Sequence, residues 1–535
     1  MPLLNWLNKD SATKAAAKSA YRLLEEIPEL SYGDKNSENL LIQGDNLEAL
    51  KALIPFYAGK VKCIFIDPPY NTKSAFEHYD DNLEHSVWLS LIYPRIELLH
   101  QLLAADGFLC CHIDDSEGAY IKVMLDEIFG RANYQTTLYN QVRYSDKTLK
   151  EDMAYHKQIE YVHVYRKSFS SKPNKPIQDT GFDKFKYEIK ILENPQKVIE
   201  LGGKRVEVYE NGSYEIIKNA EGFKEGLKEI WATGSILDGN SSGRFFRDYL
   251  AGRTKDDGLG VVYKVSSIGD DIYDYRFFTG PKRATATKGK YFQGVPISKL
   301  EQTEKEVPIP NFYDFADRFG NCRHEGGVDF RSGKKPEHYL QVILSRFSNE
   351  GDIVLDSFLG SGSTAAVAMK MNRQFIGVEI GTQAVTHCSS RIKTVIDGDS
   401  TGISESENWQ GGGGFRFCQL GATVFDEFGV LNQDIKFPTL AAHVWYIETR
   451  LPLGKKKRSP LIGIHNETAY YLLYNGILGD KRSNGGNVLT GKILECLPKF
   501  DGKKVIYGET TRLGDARLQQ ENITFKQIPY DVKAL

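Results

Sequence analysis

Residues Ile353 to Glu379 constrain this chain most. Ile353, Val354 and Leu355 form an apolar run ending in Asp356; Phe358-Leu359-Gly360-Ser361-Gly362-Ser363-Thr364 then leads into an Ala-rich helix, and Gln374 to Glu379 reads as the next strand. Strand, tight turn, helix and strand in so short a span predict parallel pairing, because parallel strands must be joined by a crossover. Helices cover both faces of such a sheet, so the predicted fold class is α/β, doubly wound and Rossmann-like. Gly360, Gly362 and Ala365 fit G-x-G-x-x-A, with the acid Glu379 about twenty positions on. That is the dinucleotide fingerprint, and it keeps a nicotinamide-dependent enzyme in contention. Asp356 argues the other way: a carboxylate facing the glycines repels a pyrophosphate and suits the ammonium group of an amino acid.

A second unit lies far upstream. Asn39 to Asn46 reads as a strand ending in Gly44-Asp45, Leu47, Leu50 and Leu53 continue it as a helix, and Cys63 to Ile66 is the next strand. Asp67-Pro68-Pro69-Tyr70 follows, and neither proline donates to a ladder, so the strand stops there. An acid and an aromatic are presented at a strand's carboxyl edge, where open α/β sheets bind ligands. An aromatic face beside several acceptors suits a flat heterocycle bearing an amino group, and Asp45 is expected at the neighbouring edge.

Composition excludes several classes. At 535 residues about three domains are expected. A net charge of -2 gives no global sign of nucleic acid, so any DNA-binding surface must be local. The seven cysteines form no CxxC pair, which supports neither zinc nor a disulfide framework and fits a reducing, cytoplasmic setting. His112, Asp114 and Asp115 lack a third local ligand, so no metal is expected. No apolar run has membrane-spanning length, and export and membrane insertion are not expected.

In chain order, residues 1–35 read as a helical extension, with one amphipathic helix over Ala12 to Glu26. Residues 36–167 form the first half of the α/β domain. Within it Asn71 to His85, with Phe76 and Tyr79, is expected to loop over the site, Ser86 to Ala105 to be helical, and Tyr134 to Val142 to pair with Ile159 to Tyr165. Residues 168–330 become β-rich, with many turn signals. Arg276, Lys282, Arg283, Lys288 and Lys290 there alternate with Tyr275, Phe277, Phe278, Tyr291 and Phe292 and no acid, the best local nucleic-acid signature in the chain; a solvated Lys-rich hairpin is the plainer alternative. Ser241, Ser242, Arg244 and Arg247 make a second candidate contact. Residues 331–398 carry the glycine-rich half, 399–414 with Gly411 to Gly414 read as a flexible linker, and 415–535 as a small α/β domain in which Lys455 to Arg458 is a solvated turn.

Asp67-Pro68-Pro69-Tyr70 resembles the DPPY motif of amino-methyltransferases, which methylate the exocyclic nitrogen of adenine or cytosine in DNA. Phe358 to Gly362 resembles their FxGxG motif, and Lys335-Pro336 resembles the segment that helps hold the methionine end of S-adenosylmethionine. The order of these motifs resembles the circularly permuted β group. The resemblance implies a seven-stranded sheet in which Asp356 and Glu379 end the first two strands, Asp45 the third and Asp67 the fourth. It implies S-adenosylmethionine as cofactor, with Glu379 on the ribose, Asp45 on the adenine, Asp356 on the ammonium, and Phe358, Gly360, Gly362 and Thr364 in the cofactor turn. It further implies that the target base leaves the duplex, that Tyr70 stacks on it, and that Asp67 with the Pro68 carbonyl accepts the amino hydrogens. An acid at the first motif position looks more like adenine-N6 than cytosine-N4 enzymes. His156 to Tyr161 resembles a segment near the target-base pocket, and residues 168–330 occupy the place of a target-recognition domain. The whole plan resembles the modification (Mod) subunits of type III restriction-modification systems, which implies double-stranded DNA, a homodimer and a restriction (Res) helicase-nuclease as partners. A recognition subunit without turnover and a cytosine-N4 enzyme remain as alternatives.

Overall fold

The computed structural model describes residues 3–71, 83–146, 155–179, 181–232, 241–283, 288–297, 300, 304–330, 333–426, 430–453 and 459–532. Phe76, Tyr79 and the run Lys455 to Arg458 lie outside the described residues. The chain divides into two compact units, Met1–Asn174 with Pro310–Leu535, and Lys175–Ile309.

The first unit is built on one large sheet. Its strands are β1 (Arg22–Glu26), β2 (Leu40–Gln43), β3 (Val61–Ile66), β4 (Leu103–Ile113), β5 (Tyr134–Gln141), β6 (Ile159–Arg166), β7 (Phe312–Asp314), β8 (Ile353–Asp356), β9 (Gln374–Glu379) and β10 (Gly414–Thr423). Their spatial order is β1-β10-β2-β9-β8-β3-β4-β6-β5-β7, with Tyr32–Gly33 pairing alongside β10. β8 and β9 thus sit between β2 and β3, parallel to both neighbours. Alternate residues of these strands point to opposite faces. Leu40, Ile42, Ile64, Ile66 and Leu355 enter one core, and Leu41, Cys63, Phe65 and Val354 the other. Each fully buried Leu or Ile contributes about 1.5–3 kcal/mol, which is why such strands read as unbroken apolar runs.

Helices α1 (Lys9–Lys18), α2 (Asn46–Tyr57), α3 (His85–Leu102), α4 (Glu337–Phe347) and α5 (Ser363–Lys370) belong to this unit. Several expectations need correction. The amino-terminal helix stops at Lys18, and Arg22–Glu26 is a strand, because β10, far away in sequence, supplies an antiparallel partner. The sheet exceeds seven strands because β1 and β10 extend one edge and β7 the other. Residues 399–414 are no loose linker: Ile403 is fully buried, Asp399 pairs with Lys370, and Trp409 Nε1 donates to the Val395 carbonyl at 2.8 Å. Gly411, Gly412 and Gly413 adopt φ of 92°, 108° and 81°, turning the chain into β10 in a left-handed conformation that disfavours side chains. The carboxyl-terminal sheet, Leu461–His465, Thr468–Leu472, Lys503–Gly508 and Ile523–Gln527 in that order, belongs to the same compact unit.

The inserted unit is shorter than the stretch 168–330, because residues 310–330 return to the first unit and add β7 beside β5. Its main sheet is antiparallel, ordered Lys197–Leu201, Lys204–Tyr209, Val262–Ser266, Tyr275–Thr279, Lys290–Gln293, Lys228–Trp231. Phe278 and Tyr291 pack on one face with Phe245 and Phe246, while Phe277 and Phe292 pack on the other with Tyr209 and Leu227. Among the described residues no helix is long and apolar enough to cross a membrane.

Candidate active site

Strand β3 delivers Asp67 to Tyr70 to the sheet's carboxyl edge, where α3 braces the turn: Trp88, fully buried, donates from Nε1 to the Pro69 carbonyl at 2.8 Å. Lys335, just ahead of α4, reaches the same place. Its ammonium lies 2.7 Å from Asp67 Oδ2 and donates to the Tyr70 hydroxyl at 2.9 Å, and that hydroxyl donates to Glu160 Oε2 at 3.1 Å. His112 on β4 lies between Asp67 and Glu160, with Nδ1 3.7 Å from Asp67 Oδ1 and Nε2 3.1 Å from Glu160 Oε2. Burial opposes the charge on Glu160, but His112, Lys335 and Arg143 outweigh it and hold its carboxyl at about 2. Burial likewise opposes the charge on Lys335, and Asp67 and Glu160 overcome it, so the ammonium is held above its ordinary range. Burial, Asp67 and Glu160 together push the Tyr70 hydroxyl well up.

The glycine-rich turn arrives on the adjacent strand. Asp356 is buried, accepting from the Phe358 N–H at 2.9 Å and the Thr364 hydroxyl at 2.6 Å. Burial raises its carboxyl to about 7. Glu379, at the end of β9, accepts from the Gly360 N–H at 2.7 Å and the Ile380 N–H at 3.2 Å. Gly362, with φ 82°, starts α5 where a Cβ would stand 3.2 Å from the Cys388 backbone. Asp45 caps α2 through Oδ1, accepting from Leu47 N and Glu48 N, and its Oδ2 takes Arg95 Nη2 at 2.8 Å.

These turns open into one cavity of about 240 Å³. Asp67, Pro68, Pro69, Tyr70 and Lys335 line one side, and Asp45, Phe358, Gly360, Glu379 and the exposed Ile380 the other. Flat apolar surface beside fixed carboxylates fits an amino-bearing heterocycle with a ribose. Asp356, Gly362 and Thr364 stand behind the wall, so the expectation that Asp356 faces the ligand gives way: its oxygens hold the turn together. Lys335 sits at Asp67.

Within the inserted unit, the basic residues separate into two kinds. Arg276 is buried, its guanidinium held by Asp271 at 2.7 Å and Ser242 Oγ at 2.7 Å, so it is a core residue and no phosphate contact. Phe277, Phe278, Tyr291 and Phe292 are core as well and offer no face for stacking bases. Lys290 pairs with Glu229 at 2.8 Å over the Trp231 ring, and Arg247 with Asp248 at 2.7 Å. Arg244, Lys282, Arg283 and Lys288 are exposed.

Sequence reasoning missed His112, Trp88 and Arg95 as site residues. β4 is buried on both faces from Gly107 to Ile113, so only the neighbours of His112 in space reveal what it meets. Glu160 had a signal, the resemblance of His156 to Tyr161 to a segment near the base pocket.

Comparison with known proteins agrees with this geometry. The family described as DNA methylase matches residues 61–389, across both halves of the cavity. The chain is 33% identical over 423 residues to the Probable type III restriction-modification enzyme HindVI Mod subunit of Haemophilus influenzae, covering 72% of this chain and 54% of that one. It is 34% identical over 430 residues to the type III restriction-modification enzyme EcoPI Mod subunit of Escherichia phage P1, covering 70% of this chain and 62% of that one. The chain therefore spans between half and two thirds of the length of these relatives. Among solved structures, PvuII DNA methyltransferase (cytosine-N4-specific) superposes with TM-score 0.34 at 12% identity, covering 70% of this chain and 91% of that one. By the match over more than half its length, the chain belongs to the DNA methylase family.

Proposed function

We propose that this chain is a sequence-specific DNA methyltransferase that moves a methyl group from S-adenosylmethionine to the N6 amino group of an adenine flipped out of double-stranded DNA, and that it is the Mod subunit of a type III restriction-modification system. One observation carries the reading: the Asp67–Tyr70 turn and the Phe358–Gly360 turn with Glu379 open into a single cavity. Bound there, S-adenosylmethionine supplies an electrophilic methyl. Glu379 would hold the ribose hydroxyls, and Phe358 and Ile380 would offer apolar surface to the adenine ring. Asp45 has lone pairs left for an amino group after its cap and its ion pair, since a carboxylate offers about four acceptor sites. Lys335, beside Asp67, reaches the cofactor's carboxylate. Asp356, Gly362 and Thr364 act by shaping the turn.

The permuted strand order supports placement in the β group, with β8 and β9 seated between β2 and β3. Tyr70 stacks on the target base, while Asp67 and the Pro68 carbonyl accept its amino hydrogens and aim the nitrogen lone pair at the methyl. The acid at position 67 favours adenine over cytosine-N4. The inserted unit reads the DNA sequence, with Arg244, Lys282, Arg283 and Lys288 on phosphate. Similarity to Mod subunits supports a cytoplasmic homodimer able to carry a Res subunit. The test is transfer of labelled methyl from S-adenosylmethionine to unmethylated genomic DNA, followed by long-read detection of the modified base. N6-methyladenine at one sequence motif is expected, and none from Asp67→Ala, which still binds cofactor. Tight DNA binding with no transfer instead supports a recognition subunit.

A further inference from the structure

Behind Asp67, the site continues into the protein. His112 is fully buried, and among the described residues Asp67 Oδ1, His112 Nδ1 and His112 Nε2 are buried with no aligned hydrogen-bond partner. The 3.1 Å approach of Nε2 to Glu160 is close but out of line. Buried polar atoms are nearly always satisfied, so two imidazole nitrogens between two carboxylates, with the Asp67 oxygen that faces them also unsatisfied, call for a functional explanation. We propose that His112, held by Glu160, is a positioning residue that receives, by way of Asp67, the proton released by the target amine. This rests on the methyltransferase reading above.

The step balances as follows. The new N–C bond replaces the methyl's bond to sulfur and leaves the amine nitrogen cationic. One of its N–H bonds breaks, the electron pair stays on nitrogen, and an O–H bond forms on the Asp67 carboxyl. A half-turn of that carboxyl brings its proton to His112 Nδ1, where N–H forms as O–H breaks. The result is an imidazolium whose Nε2–H faces the Glu160 carboxylate.

The charges around His112 favour this. Asp67 faces it from the end of β3, Glu160 from β6, Lys335 from the segment before α4, and Arg143 lies 4.0 Å beyond, on Glu160 Oε1. The rings of Tyr70 and Tyr339 lie 5.9 Å and 5.4 Å away, and burial keeps both hydroxyls protonated. Carboxylate oxygens thus flank the ring on both sides, Asp67 Oδ1 at Nδ1 and Glu160 Oε2 at Nε2, so a proton arriving on the imidazole lies between two anions. Separately, the depressed carboxyl of Glu160 means that it stays an anion throughout the neutral range. This is the logic of a base oriented by a third group, with a gap that closes in the reacting complex.

The test uses the full chain, tritiated S-adenosylmethionine and unmethylated genomic DNA in single turnover across the neutral pH range. His112→Asn is expected to lower the rate by about 10²-fold or more and to abolish the wild-type inflection in the pH profile, with cofactor and DNA affinities unchanged. Glu160→Gln is expected to move that inflection to lower pH, since the imidazolium loses its counter-charge. A wild-type rate and profile in His112→Asn overturn the proposal. A second measurement needs neither cofactor nor DNA: the NMR titration of His112, assigned by its loss in His112→Asn, is expected to shift to lower pH in Glu160→Gln. An unmoved titration also overturns the proposal. If the wild-type chain transfers no methyl to any DNA, the methyltransferase reading fails, and the titration still decides whether Glu160 controls His112.

Discussion

Replacing Lys370 by Met should cost this protein about 3–5 kcal/mol, although Met is a close match in length and shape and leaves no large void. Lys370 ends α5, the helix that follows the glycine-rich turn. Its ammonium lies 2.8 Å from Glu337 Oε2, pairs with Asp399, and donates to the Thr401 carbonyl at 3.0 Å. Arg391 completes the group, 2.7 Å from Glu337 Oε1 and 2.6 Å from Ser363 Oγ. Lys370, Arg391 and Glu337 side chains are 0% exposed and that of Asp399 is 3%, so solvent screens none of these charges. Two cations meet two anions at the buried centre, and Glu325 lies 4.0 Å from Arg391 at its edge. Removing Lys370 leaves one buried carboxylate unpaired, the situation in which breaking a buried ion pair is most costly. Burial opposes the charge on Asp399 and Lys370 overcomes it, which keeps that carboxyl below its ordinary value. Lys370→Met with Asp399→Asn restores the balance, so the double variant should regain part of the loss, with a coupling of about 0.5–3 kcal/mol. Urea unfolding at neutral pH, read as the midpoint shift at constant slope, measures all three proteins. A loss below about 1 kcal/mol in Lys370→Met, or simple additivity in the double variant, refutes the reasoning.

Three further outcomes are expected. Trp88→Phe removes the indole donor to Pro69, so methyl transfer should fall with cofactor affinity kept, and stability should drop by about 1–3 kcal/mol; unchanged kcat refutes a bracing role. The Asp356 carboxyl, raised to about 7 by burial from an ordinary 3.8, binds its proton more tightly in the folded state; its own contribution to stability is therefore fully present below the ordinary value and is lost as pH rises from there through the folded value, by about 4 kcal/mol, and Asp356→Asn should flatten that part of the slope in urea titrations. Alanine at Lys282, Arg283 and Lys288 should reduce the salt dependence of DNA binding by up to about three phosphate contacts, whereas Arg276→Met should leave that slope alone and destabilise the protein; the reverse pattern overturns the assignment of surface and core.

Much of the site was legible in the residues because its two halves are local devices. Asp67-Pro68-Pro69-Tyr70 ends a strand by the chemistry of proline, and Phe358 to Gly362 turns a strand into a helix by the chemistry of glycine. Apolar runs at 40–42, 63–66 and 353–355 announced strands, whatever their neighbours.

What depends on distant partners was not legible. Arg22–Glu26 is a strand because β10 lies beside it, and Gly411 to Gly414 lead into that same strand. Arg276 reads as a phosphate contact among basic neighbours, and only the folded sheet shows Asp271 and Ser242 around its guanidinium. Asp356 reads as a ligand for the cofactor, and only the packing of Thr364 and Phe358 turns it inward. The sequence by itself determined an α/β sheet with two ligand-binding turns, because strand, turn and helix are set by residues within a few positions of each other. The tertiary structure alone decided that both turns share one cavity and that Lys335, His112 and Glu160 converge on Asp67. Burial and charge pairing depend on which side chains meet across the sheet, and a linear chain does not carry those distances.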